Sequence, residues 1–111
     1  MQKDNFILLR HMLDAAREAV SFAANNTRHS LSTDRKLELA LIKCIEIVGE
    51  AASKVSIDYR ENTSQVPWAN IISMRNRLIH GYFDIDLDIL WQTVVEDLPP
   101  LIAELEKIIE V

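Results

Sequence analysis

Apolar residues recur at intervals of three and four from one end of the chain to the other, the spacing that puts side chains on a single face of an α-helix. Phe6, Leu9, Leu13, Ala16, Val20 and Ala23 form the first such stripe. The polar Asn25-Asn26-Thr27 ends it, and polar positions run on to Ser32. A second helix starts there. Thr33 or Asp34 can cap it, because their side-chain oxygens accept from the free amides of a first turn. Leu37, Leu41, Cys44, Val48, Ala51 and Val55 then carry the pattern for about six turns. No proline enters either helix, and only Gly49 interrupts the second, at about 1 kcal/mol relative to alanine. Close approach of a neighbouring helix accounts for a glycine there, and the small Ala51-Ala52 pair fits the same contact. The pattern predicts two long antiparallel helices.

The next stretch, residues 56–66, is polar and irregular. Pro67 suits the first position of a third helix, where a missing N–H costs nothing. That helix is expected to reach Ile79 or His80, with Gly81 as its stop. Asp84 or Asp86 can cap a fourth, carrying Leu87, Leu90, Trp91, Val94 and Leu98, until Pro99-Pro100 breaks or kinks it. Leu101, Ile102, Leu105, Ile108 and Ile109 form a last amphipathic segment. No repeat or linker is visible. The expected architecture is a single all-α domain over residues 1–111, an antiparallel bundle of four to five helices, two long ones followed by shorter ones.

Composition narrows the function more than the fold. With 49% apolar and 26% charged residues over 111 positions, the chain has the make-up of an ordinary globular domain. The lone Cys44 excludes an intrachain disulfide framework and a cysteine-based zinc site. The run Phe6-Ile7-Leu8-Leu9 stops at Arg10, too short for a signal segment or a membrane span, so a cytoplasmic protein without a membrane partner is expected. A net charge of −5 speaks against non-specific nucleic-acid binding. The charge is uneven, however. Residues 1–82 hold 11 basic and 9 acidic side chains, whereas residues 83–111 hold 1 and 8. Val66 to Phe83 contains two arginines, one histidine and no acid, which leaves room for a small local basic site.

That basic stretch holds the candidate chemistry. On an ideal wheel Arg75 falls in the middle of the apolar arc of the third helix, among Ile71, Ile72, Met74, Leu78 and Ile79. A buried charge must be neutralised, either by an acid such as Glu50 on the second helix or by a bound anion. His80 follows Asn76 by four residues, on the same face and in the last turn, where the helix dipole favours imidazolium. Arg77 lies beside them as a candidate for substrate binding. Tyr82, past the glycine, reads on spacing alone as a surface tyrosine. Elsewhere His11 and Asp14 are a weak pair of metal ligands without a third, so no metal site is assigned. Cys44 reads as core, His29 as surface, and Trp68 and Trp91 as core anchors.

The segment Arg75-Asn76-Arg77-Leu78-Ile79-His80-Gly81-Tyr82 resembles the Arg-x4-His-x-Tyr motif of HEPN-domain proteins of the HepT toxin family. The likeness extends along the chain, through Ile47-Val48-Gly49-Glu50-Ala51, Val66-Pro67-Trp68 with Ile71 and Met74, and Tyr82-Phe83-Asp84-Ile85-Asp86 followed by Trp91 and Asp97-Leu98-Pro99. The resemblance implies the HEPN fold, a dimer, and metal-independent cleavage of tRNA or mRNA without a cofactor. It assigns catalysis to Arg75 and His80 with Asn76 accompanying them. It further implies a type VII-like toxin–antitoxin system, in which a minimal nucleotidyltransferase antitoxin attaches AMP to Tyr82.

Elementary chemistry is compatible with that assignment. Attack by a 2′-hydroxyl on phosphorus needs a base, an acid and a group that stabilises charge. A histidine near its ordinary pKa of about 6.5 serves either proton transfer. Arginine stays charged and can grip two phosphate oxygens. Since the basic stretch offers one histidine, a two-fold dimer would bring two histidines and two arginines into one cleft. Arg75 and His80 lie about 140° apart on an ideal helix, so they need not meet within one protomer. AMP on Tyr82 would block the cleft by bulk and negative charge. The alternative is a non-catalytic helical partner, or modification target, of a nucleotidyltransferase, in which His80 is dispensable. A bare dimerisation bundle is the third reading.

Overall fold

A computed structural model describes residues 3–80 and 84–109. Helix α1 runs Lys3–Ala23 and α3 runs Arg35–Lys54, and these two long helices pack along each other. They are antiparallel, because Asn5 near the start of α1 meets Ser56 just past the end of α3. The Asn5 amide donates to Ser56 Oγ at 3.1 Å, and Ser56 N–H donates back to Asn5 Oδ1 at 3.1 Å. Asn5 is only 4% exposed, and this exchange satisfies its amide where water cannot.

Helix α1 ends where Asn25 takes a positive φ of 64°, a conformation asparagine tolerates better than most residues. Leu9, Leu13, Ala16 and Ala23 of its stripe are buried as expected, but Phe6 is exposed. Asp34 caps α3, accepting from Leu37 N–H at 3.2 Å. Leu37, Leu41, Cys44, Val48 and Ala51 then line its inner face.

Two connections that read as irregular hold single-turn helices, α2 (Ser30–Thr33) and α4 (Ile57–Glu61). Each turns on one local feature: the buried Leu31 anchors α2, and Ser56 caps α4 by accepting from Tyr59 N–H. One turn is too short to show a periodic stripe, which explains why the pattern alone missed them.

The third helix is divided. Helix α5 (Trp68–Ile72) and helix α6 (Met74–Leu78) meet at Ser73, with φ −90° and ψ 0°. Pro67 stands just ahead of the first turn, and the Trp68 ring is buried with its Nε1–H donating to the Thr63 carbonyl at 3.2 Å. Trp91, the other expected anchor, is only half-buried.

Helix α7 (Leu87–Gln92), capped by Asp86, continues through a π turn (Thr93–Asp97) into α8 (Leu98–Ile109). Pro99-Pro100 therefore does not break the rod. The prolines fall in the first turn of α8, where N–H groups have no partner within that helix, and the wider turn before them absorbs the mismatch. Leu98 N–H reaches back five residues to the Thr93 carbonyl. Leu90, Val94, Leu98, Leu101 and Leu105 close the core against α1.

The outcome is an all-α bundle with no strand among the described residues. The two long helices are present as expected, the third is split into α5 and α6, the fourth and last are joined by the π turn, and α2 and α4 are added in the connections. No described helix is long and apolar enough to cross a membrane.

Candidate active site

The site begins with a backbone contact. A Cβ built on Gly49 of α3 would lie 3.4 Å from the Ile71 carbonyl oxygen and 3.6 Å from that of Ile72. Helix α5 thus rests directly on α3, as the lone glycine suggested. Helix α6 starts just past the turn at Ser73. Met74 and Leu78 point into the core, and Arg75, Asn76 and Arg77 are exposed.

Arg75 therefore does not occupy the centre of a buried stripe. Its side chain is 49% exposed, and it sits at the rim of the apolar face beside the half-buried Ile72 and Ile79. A single wheel carried through residues 68–80 misplaced it, because the chain does not keep one helical course through Ser73. Its partner also differs from the expected Glu50. Arg75 Nε–H donates to Glu46 Oε1 at 3.2 Å, whereas Glu50 pairs with Lys54 at 3.3 Å.

His80 is likewise placed differently. Helix α6 stops at Leu78, and Ile79 is already extended, paired with Ile85 in an isolated antiparallel bridge. His80 N–H donates to the Asp84 carbonyl at 2.9 Å, and Asp86 N–H to the Leu78 carbonyl at 2.8 Å. His80 is thus exposed beyond the helix, not in its last turn, and the i, i+4 relation to Asn76 does not apply. Gly81, the expected stop, and Tyr82, the expected modification site, lie outside the described residues.

Two grooves meet at the Arg75–Glu46 pair. An open one of about 660 Å³ is lined by Arg75 and Asn76 of α6, Lys43, Glu46 and Glu50 of α3, and His11 of α1. A smaller one of about 260 Å³ has Arg75 and Glu46 on one side and Leu39, Ile42, Ile79 and Ile85 around it. Arg77 belongs to neither. It lines a separate groove of about 430 Å³ with Glu96, Asp97 and Glu104, and its Nη2 donates to the Asn70 carbonyl at 3.1 Å. The fold brings Arg75 and Asn76 together, sets His80 two residues beyond α6, and turns Arg77 toward an acidic wall.

Glu46 and Lys43 escaped the sequence reading. The signal was present: Lys43, Glu46, Glu50 and Lys54 follow one another at steps of three and four, a charged stripe on α3. No group of three or more potential metal ligands forms among the described residues, and Asp14 pairs with Arg10 at 3.3 Å. Cys44 is buried in the core, and His29 is exposed at the start of α2.

The sequence profile described as "Ribonuclease HepT-like" matches residues 12–108. A Methanocaldococcus jannaschii protein named "Gamma-glutamylcyclotransferase and putative RNase" is 36% identical over 99% of this chain, which spans half of that protein's length. Another from the same organism, named "Putative RNase", is 33% identical over 95% of this chain and 96% of its own. A "Probable ribonuclease HepT" of Thermococcus cleftensis is 40% identical over 68% of each chain. No solved structure is significantly similar.

Proposed function

The chain belongs to the HepT-like ribonuclease family, and from that premise we propose that it cleaves RNA without a metal, acting as the toxin of a toxin–antitoxin pair. The observation that carries this reading is Arg75 at the mouth of an open groove with Asn76 beside it. Its Nε edge is occupied by Glu46, and its two terminal nitrogens have no hydrogen-bond partner among the described residues. A guanidinium held in that way presents a fork matched to two phosphate oxygens.

In the proposed reaction the ribose 2′-hydroxyl attacks the adjacent phosphorus as the bond to the 5′-oxygen breaks. A cyclic 2′,3′-phosphate and a free 5′-hydroxyl result. Arg75 stabilises charge on the phosphoryl oxygens, and Asn76 offers an amide to the same group. His80 transfers the proton, either from the 2′-hydroxyl or to the leaving oxygen. One imidazole cannot do both in a single step. The proposal therefore includes a homodimer in which the partner's histidine serves the second transfer. Arg77, which faces Glu96, Asp97 and Glu104 in a separate groove, is given no role in the reaction. AMP attached to Tyr82 by a minimal nucleotidyltransferase would add bulk and negative charge next to His80 and silence the enzyme; this part rests on the family motif alone.

The test is cleavage of tRNA and mRNA in EDTA by wild type, Arg75→Ala and His80→Ala, after intact mass has established that Tyr82 carries no adduct. Cleavage by the wild type with a loss of at least about a hundredfold in each variant is expected. Equal cleavage by all three would point to a contaminant. No cleavage by any would favour a non-catalytic partner of a nucleotidyltransferase.

A further inference from the structure

We propose that Glu46 is a positioning residue for Arg75, setting both the orientation of its guanidinium and the strength with which the groove holds a phosphate. The inference rests on the ribonuclease reading and adds a residue that the motif does not contain. Glu46 lies 29 positions before Arg75 in sequence, on α3, and reaches the Nε–H at 3.2 Å. Both side chains are partly shielded, Glu46 more than Arg75, at 34% and 49% exposure. Both also line the two grooves that meet at this point, so the pair forms the ridge between them.

Two consequences follow from the bond's direction and charge. An arginine side chain has many rotamers, and tying its Nε edge to a fixed carboxylate removes most of them while leaving the terminal nitrogens free to bind a ligand. The carboxylate also offsets part of the positive charge a phosphate would meet. Lys43 and His11 face the same groove, and Glu50, itself paired with Lys54, adds a second acid. Without Glu46 the groove would be more cationic, but Arg75 would be less well aimed. Orientation acts on the transition state, whereas added positive charge tightens ground-state binding. The two effects should therefore separate between KM and kcat.

Glutamine at position 46 keeps an oxygen that accepts from Nε–H and removes the charge. Alanine removes both. With a short single-stranded RNA at fixed ionic strength, Glu46→Gln should lower KM about threefold and leave kcat within about twofold. Glu46→Ala should lower kcat about tenfold, because a misaimed group loses catalysis steeply. Melting temperatures of both variants should stay within a few degrees of wild type, since an exposed pair adds little stability. The Arg75 Nε–H resonance should remain sharp in wild type and Glu46→Gln, and broaden in Glu46→Ala. Kinetics of Glu46→Ala equal to wild type, while Arg75→Ala is inactive, would overturn the positioning role and leave the ribonuclease reading intact. An equal loss of kcat in both Glu46 variants would also overturn it. Equal cleavage by wild type and Arg75→Ala would remove the ribonuclease reading and this proposal with it.

Discussion

Among single residues, Cys44 shows how burial changes a side chain's chemistry. Packed in the core, its thiol is pushed up to about 11, first by burial and then by the negative charge of Glu18. The thiolate is the nucleophile, so Cys44 is inert near neutral pH. A raised pKa in the folded state means that the unfolded chain releases this proton first as pH rises. Stability from this source is thus complete below about pH 9 and is lost as pH climbs toward 11. The urea midpoint of the wild type should fall across that window, and more shallowly in Cys44→Ala. Arg75, Asn76 and His80 stand out as a motif from type and order alone. Their surroundings were not, since Arg75's partner comes from a different helix and its exposure depends on a backbone turn at Ser73. No spacing rule reports either one.

At the scale of elements, the two long helices were legible because a stripe repeated over five or six turns leaves little ambiguity. The caps Asp34 and Asp86 were readable for the same physical reason in each case, an acceptor ahead of an apolar run. The division of α5 from α6 was not, because neither proline nor glycine marks Ser73. Gly49 links the two cases: it announced a close contact without saying with what. The contact is with the carbonyls of Ile71 and Ile72, at distances that just admit one methyl group. Gly49→Ala should therefore raise the melting temperature by a few degrees, reflecting up to about 1 kcal/mol of helix propensity. Gly49→Leu should cost about 1–3 kcal/mol by pushing α5 away from α3. It should also impair cleavage, because Arg75 would move relative to Glu46. Calorimetry beside an RNA cleavage assay checks both.

For the molecule as a whole, the proposed composite cleft makes a demand that neither element nor residue can meet alone. Mixing wild-type and His80→Ala subunits in equal amounts should give about half mixed dimers at statistical exchange, each with a single His80, so cleavage should fall to about a quarter of the wild-type level rather than to half. A mixture that keeps half of the wild-type activity would mean that each protomer cuts alone and that the cleft does not share its histidines. The same scale brings out the meaning of the π turn between α7 and α8. A π turn is an α-helix with one residue inserted. Removing a residue there would restore regular hydrogen bonding, yet it would swing everything downstream by about 100°. Leu101 and Leu105 would leave the core, and Glu106 would lose its 2.6 Å bond to Arg17 of α1. The stretch Thr93–Asp97 is therefore held to a fixed number of residues more strictly than to their identities, and in this part of the chain substitution is milder than deletion.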